Sequence, residues 1–122
     1  MQRLFLRYGM LPYFNDYYRS LFRNLQINNT LCHLNISNNK ILSRNEQRYR
    51  CAEALGGLLA NSVSLQILNF QNIGISELTF ECIMTGVAQS NVISLNISHN
   101  DIDDSCMAIL ASKSEQNVSY LN

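Results

Sequence analysis

A single proline stands in the 122-residue chain, so proline-rich linkers are excluded. Four cysteines are too few for the disulfide framework of a small secreted domain. None of them forms a C-x-x-C pair, so no zinc site is expected. The formal net charge is +0, without the basic excess of a dedicated nucleic-acid binder. No apolar run approaches the ~18 residues needed to span a bilayer. The opening MQRLFLRYGMLPYF carries Arg3 and Arg7 before the first acid, Asp16. Arg7 interrupts the apolar stretch and excludes a secretory signal, and a strand pattern described below accounts for the segment better than a transit peptide does. The expected compartment is therefore the cytoplasm, with the cysteines as reduced thiols.

Chemistry-bearing constellations are equally scarce. His33 and His99 are the two histidines, and neither belongs to an acid-plus-nucleophile motif. Gly56–Gly57 lacks the Lys-Ser/Thr that a phosphate-binding loop requires. Asp101, Asp103 and Asp104 resemble a piece of a calcium loop without its glycine and closing glutamate, and N-capping of a following helix explains them better. The expectation is no enzyme: no catalytic residue, no cofactor and no metal.

What the chain does have is a core-forming composition, 47% hydrophobic against 15% charged, and sixteen asparagines whose positions are not random. LCHLNISNNKI (31–41) and VISLNISHNDI (92–102) carry apolar residues at places 1, 4, 6 and 11 and asparagine at place 9. LQILNFQNIGI (65–75) shares the apolar places but has Ile73 at the ninth, with Asn72 one residue early. MQRLFLRYGML (1–11) fits with Gly9 in place of asparagine, and VSYLN (118–122) begins the pattern once more. Places 4 and 6 are two apart and so face the same side of a short strand. An asparagine at the ninth can turn the chain by bonding backbone groups that have lost their strand neighbours. Asn39 and Asn100 are expected to do this, and the turns at Gly9 and Ile73 are expected to be looser.

Between these motifs apolar residues recur at spacings of three and four, the helical period. Tyr18, Leu21, Phe22 and Leu25 share a face within 15–26. Tyr49, Ala52, Leu55, Leu58 and Leu59 do so within 46–61, Phe80, Ile83, Met84 and Val87 within 76–89, and Met107, Ile109 and Leu110 within 103–113. Ser76 and Asp103 are candidate N-caps. Asn29, Asn61, Asn91 and Asn117 follow the helices, where a left-handed closing residue is expected. Cys51, Cys82 and Cys106 fall in the helices as small apolar residues.

The pattern L-x-x-L-x-L-x-x-N-x-I, with a helix in every interval, resembles the leucine-rich repeat family, specifically its ribonuclease-inhibitor-like intracellular type. The resemblance covers the whole chain as one domain, 1–122, with about four repeats starting near 1, 31, 65 and 92 and a truncated fifth at 118. The segment 42–50 lengthens one connection. The resemblance implies an α/β leucine-rich repeat solenoid, a horseshoe segment with a parallel sheet on the concave side and helices on the convex side. The strand motifs at both ends lack polar caps, which suggests a fragment of a longer array and self-association through uncapped ends.

Residues flanking the buried pair of each strand would line the concave face: Phe5 beside Arg3 and Arg7; His33, Asn35 and Ser37; Ile67, Asn69 and Gln71; Ser94, Asn96 and Ser98; and Tyr120 and Asn122. One position reads Phe5, Asn35, Asn69, Asn96, Asn122, a polar row for a partner to touch. Charge is divided along the chain, with eight basic and three acidic residues in 1–61 and one basic and six acidic in 62–122, which can orient a partner. Sequons occur at Asn28, Asn35, Asn96 and Asn117 and are idle in the cytosol. The expected function is a non-catalytic protein–protein interaction module or scaffold whose partner is another protein, not nucleic acid or membrane. The resemblance also allows cytoskeletal or ciliary association. The alternatives are a regulator of an enzyme, such as a small GTPase activator, and the sensor segment of a larger multidomain enzyme.

Overall fold

The computed structural model describes residues 2–5, 15–42, 48–104, 106, 108 and 119–121. Strands and helices alternate: β1 (Gln2–Phe5), α1 (Asn15–Leu25), β2 (Leu31–Asn35), α2 (Arg48–Asn61), β3 (Ile67–Asn69), α3 (Glu77–Ala88), β4 (Ser94–Asn96) and β5 (Ser119–Leu121). Between β4 and β5, Asp104, Cys106 and Ala108 are helical. The fold class is α/β. One five-stranded sheet runs in the order β1-β2-β3-β4-β5, and every pairing is parallel.

Leu34, Leu68 and Leu95 stand opposite one another in the register, and all three are buried. Ile36, Phe70 and Ile97, the second apolar place of each motif, are buried as well. They fall one residue past the ends of their strands, so the strands stop earlier than the sequence pattern predicts. The cause is local: the side chain of Asn35, Asn69 and Asn96 accepts the amide two residues on and begins the turn. The leucine stack and the inner helix faces meet in one core. Phe22 of α1, Ala52, Leu55, Leu58 and Leu59 of α2, and Phe80, Ile83, Met84 and Val87 of α3 are all buried in it. Tyr49 is the exception: expected on the inner face of α2, it is 41% exposed in the first turn of that helix. Tyr18, Met107, Ile109 and Leu110 lie outside the residues whose side chains are described, as do Leu6, Gly9 and residues 43–47 of the long connection.

Helix starts follow the expected capping. Ser76 precedes α3 in an extended conformation, and its amide donates to Thr79 Oγ1 at 3.1 Å. Asp103 Oδ1 accepts from the Cys106 amide at 3.1 Å. Helix ends do not follow the expectation. Asn29, Asn61 and Asn91 are not left-handed, and Asn117 lies outside the described residues. The chain instead enters β2, β3 and β4 through a side-chain acceptor. Asn28 Oδ1 takes the Leu31 amide, Ser62 Oγ the Leu65 amide and Ser90 Oγ the Val92 amide, at 2.8, 3.1 and 3.2 Å. A polar acceptor three to five residues before each of these strands replaces the left-handed turn.

Left-handed residues appear at the other end of the strands, at Asn38, Asn72 and His99. These are the eighth places of the three motifs, so Asn72 occupies the same role as Asn38 and is not a displaced ninth residue. Ile73, at the ninth, is fully buried. Its turn is held from the next segment: Asn100 Oδ1 accepts the amides of Ile73, Gly74 and Ile75 at 3.0–3.1 Å. The expectation of a looser turn there is corrected, because the missing asparagine costs its own bonds and not those that its neighbour supplies. Gly74 follows at φ 91°, which a side chain would disfavour.

Candidate functional site

The alternation of a strand places residues 33 and 35 on the side of the sheet away from Leu34 and the helices. The register then aligns two rows across this open face. One runs Arg3, His33, Ile67, Ser94, and the other runs Phe5, Asn35, Asn69, Asn96. The expected site residues Phe5, His33, Asn35, Ile67, Asn69, Ser94 and Asn96 are thus brought together. Adjacent members stand ~4.8 Å apart, the distance between neighbouring strands.

The row does not extend as expected into the last strand. Asn96 is opposite Leu121, and Leu95 is opposite Tyr120. The motif predicts Leu121 opposite Leu95, so the register of β5 is offset by one residue, which exchanges the faces of a strand. Asn122 lies outside the described residues.

The asparagine row has a defined polarity. Asn35 Oδ1 accepts from the Ser37 amide, Asn69 Oδ1 from the Gln71 amide and Asn96 Oδ1 from the Ser98 amide, each at 3.0 Å. Asn96 Oδ1 also accepts from Ser98 Oγ at 2.8 Å. A backbone amide can only donate, so the orientation of all three side-chain amides is fixed. Their Nδ2 groups meet no acceptor among the described residues. Three half-buried asparagines therefore present a line of N–H donors whose acceptor halves are already engaged. Ser37, Gln71 and Ser98, also expected at the site, contribute the backbone amides that set this geometry.

At the β1 end the face becomes aromatic. Phe5, half exposed, meets His33 edge-to-face with ring centroids 5.0 Å apart. Burial, followed by the Arg3 charge, lowers the His33 pKa below the ordinary imidazole value. His33 is thus held toward its neutral form, and Ile67 beside it continues an apolar patch next to the asparagines.

A second polar group lies at the rim where the strands end. Lys40 Nζ donates to Asn72 Oδ1 at 2.8 Å, and Asn72 Nδ2 donates to Asn38 Oδ1 at 3.0 Å. This chain of contacts ties two consecutive turns together across 32–34 residues of sequence. The ninth-place pattern makes Asn72 look out of place; the polar residue repeated at the eighth place, Asn38, Asn72 and His99, is the signal for this group.

Among the described residues no cluster of three or more potential metal-ligating side chains occurs, and no helix is long and apolar enough to cross a membrane. No protein-family model matches the chain, and no curated protein is significantly similar to it.

Proposed function

We propose that this chain is a segment of a leucine-rich repeat solenoid of the ribonuclease-inhibitor-like type, and that its open, concave sheet face binds another protein without catalysing a reaction. The sequential parallel sheet, the leucine stack and the asparagine that bridges neighbouring turns all support the repeat reading. Such an architecture offers extended surface in place of a pocket.

The observation that carries the binding reading is the line of Nδ2 donors at Asn35, Asn69 and Asn96. Donors of fixed orientation, already half withdrawn from water, gain most from a partner that brings acceptors to them. The complementary surface is a stretch of protein rich in exposed carbonyl and carboxylate oxygens. The Phe5–His33–Ile67 patch at one end gives that partner an apolar anchor.

The test uses Asn35→Asp, Asn69→Asp and Asn96→Asp, made singly. Each keeps an oxygen for the turn amide, replaces the Nδ2 donor with a second oxygen and adds a negative charge. Affinity isolation from cell extract with the parent and each variant gives the readout. Partners of the parent are expected to be lost while the melting temperature stays close to the parent's. Retention of every partner by all three variants overturns the reading.

A further inference from the structure

The open face of the sheet repeats with a single period. Asn35, Asn69 and Asn96 hold equivalent positions on neighbouring strands, so their Nδ2 donors recur at ~4.8 Å and span about 9.6 Å. Phe5 takes the next position of the same row, with its ring against His33. The parallel row, Arg3, His33, Ile67 and Ser94, lies two residues back along the strands, about 6.8 Å away. Neither row contains a carboxylate, and exposed Arg3 supplies a positive charge at one corner.

We infer that this face receives an acidic α-helix of a partner protein, laid across the strands along the asparagine row. The inference rests on the binding role proposed above and specifies the occupant. Three partner periods can be set against the row. A helix repeats one face about every turn of 5.4 Å, so carboxylates at i, i+4 and i+7 span about 10.5 Å. That lies within about 1 Å of the asparagine row, a difference that glutamate side chains absorb. An extended strand laid the same way repeats its face every ~6.8 Å and spans about 13.6 Å, too long by about 4 Å. A second sheet stacked on the first matches the period, but such packing interdigitates two apolar faces. Here the apolar side chains are confined to Phe5, the His33 ring and Ile67.

The chemistry agrees with the spacing. Each asparagine has its amide oxygen engaged and offers only N–H, and a carboxylate makes the stronger, charge-assisted bond to it. No acid in either row repels that charge, and Arg3 attracts it. A helix about 10 Å across covers both rows at once. One turn beyond the third carboxylate, at i+11, an apolar residue of the helix meets Phe5 and His33. This order sets the helix C-terminus toward β1, where Arg3 faces the negative end of its dipole.

Fluorescence anisotropy with the 122-residue chain and three synthetic peptides of about 20 residues tests the proposal. The first peptide is an alanine-rich helix with glutamates at i, i+4 and i+7 and leucine at i+11. The second has the same composition with its glutamates spread around the helix. The third sets the leucine and glutamates at alternate positions of a threonine-rich, strand-forming sequence. The first is expected to bind at least about tenfold more tightly than either of the others. Asn69→Asp is expected to weaken that binding about tenfold, and lysine in place of the central glutamate of the peptide is expected to restore it. No binding of the first peptide up to about 1 mM overturns the proposal. So does equal binding of the first two, tighter binding of the third, or a lysine peptide that does not rescue Asn69→Asp. In those cases, loss of extract partners on Asn→Asp substitution still upholds the face as a binding surface, and the helix falls alone. Retention of every partner by all three asparagine variants removes the face and the helix together.

Discussion

The Asn100 side chain makes six hydrogen-bond contacts, and its replacement by alanine tests how neighbouring turns are held. Its Oδ1 accepts the amides of Ile73, Gly74 and Ile75. Its Nδ2 donates to the carbonyls of Phe70 and Ile97 at 2.9 Å and of Ser98 at 3.3 Å. Six contacts share one oxygen and two hydrogens, so they are equivalent to about four full bonds. At a net value of about 0.5–1.5 kcal/mol each, and with water reaching the half-buried site, Asn100→Ala is expected to cost about 2–4 kcal/mol. Asn91 supplies the control. It also reaches back to an earlier segment, but through one exposed bond to the Val63 carbonyl, and Asn91→Ala is expected to cost less than about 0.5 kcal/mol. Urea unfolding followed by circular dichroism gives both values, with an unchanged m-value identifying a true stability change. If Asn100→Ala lies within about 0.5 kcal/mol of the parent, the turns are held by backbone pairing and the role assigned to this residue is wrong.

Leu68 lies in a central strand with Leu34 and Leu95 on either side, so Leu68→Ala leaves a cavity that cannot collapse toward an edge and is expected to cost about 2–5 kcal/mol by the same assay. A variant as stable as the parent would contradict its burial. Gly86→Ala places a methyl group against the Gly56 carbonyl and 2.9 Å from Gly56 Cα. The overlap is expected to outweigh the improved helix propensity and to lower the melting temperature, whereas a helix without close contact would be stabilised. The lowered His33 pKa has a defined sign. The unfolded chain binds the proton more readily, so this contribution to stability is present above the ordinary value of 6.5 and is lost as pH falls below it. His33→Gln is expected to show a smaller drop in melting temperature than the parent between pH 7.5 and pH 5.5, and equal drops would refute the assignment.

Much of the architecture was legible because two periods coexist in the sequence. Leu34, Leu68 and Leu95 identify strands through a spacing of two, and Phe80, Ile83, Met84 and Val87 identify a helix through spacings of three and four. Both signals record which side of an element meets the core, and burial is what the sequence pattern encodes most directly. Hydrogen-bond assignments were less legible. The same residue type turns the chain at Asn35, occupies a left-handed position at Asn38 and, at Asn100, bridges two segments; spacing alone distinguishes these roles poorly. The breakdown at Ile73 looked like a weakness because its own side chain cannot bond the backbone, yet the bonds come from Asn100, 27 residues later. The site followed the same division. The rows on the open face came directly from alternation, whereas the polarity of the asparagine row depends on which half of each amide the backbone takes. The groove between α2 and α3 lies at a close approach of Gly56 and Gly86 that no periodicity announces.

On the open face, Asn35, Asn69 and Asn96 hold a row of donors with no acceptor among the described residues. Solvent exchange of side-chain amide protons, measured by NMR on the free chain, tests it most directly. The Nδ2 protons of these three residues are expected to exchange at rates near that of exposed Asn29, whereas those of Asn100, bonded to three carbonyls, exchange far more slowly. Protection of all three to the level of Asn100 in the free chain would mean that their donors are already taken and that the open face offers a partner no such row.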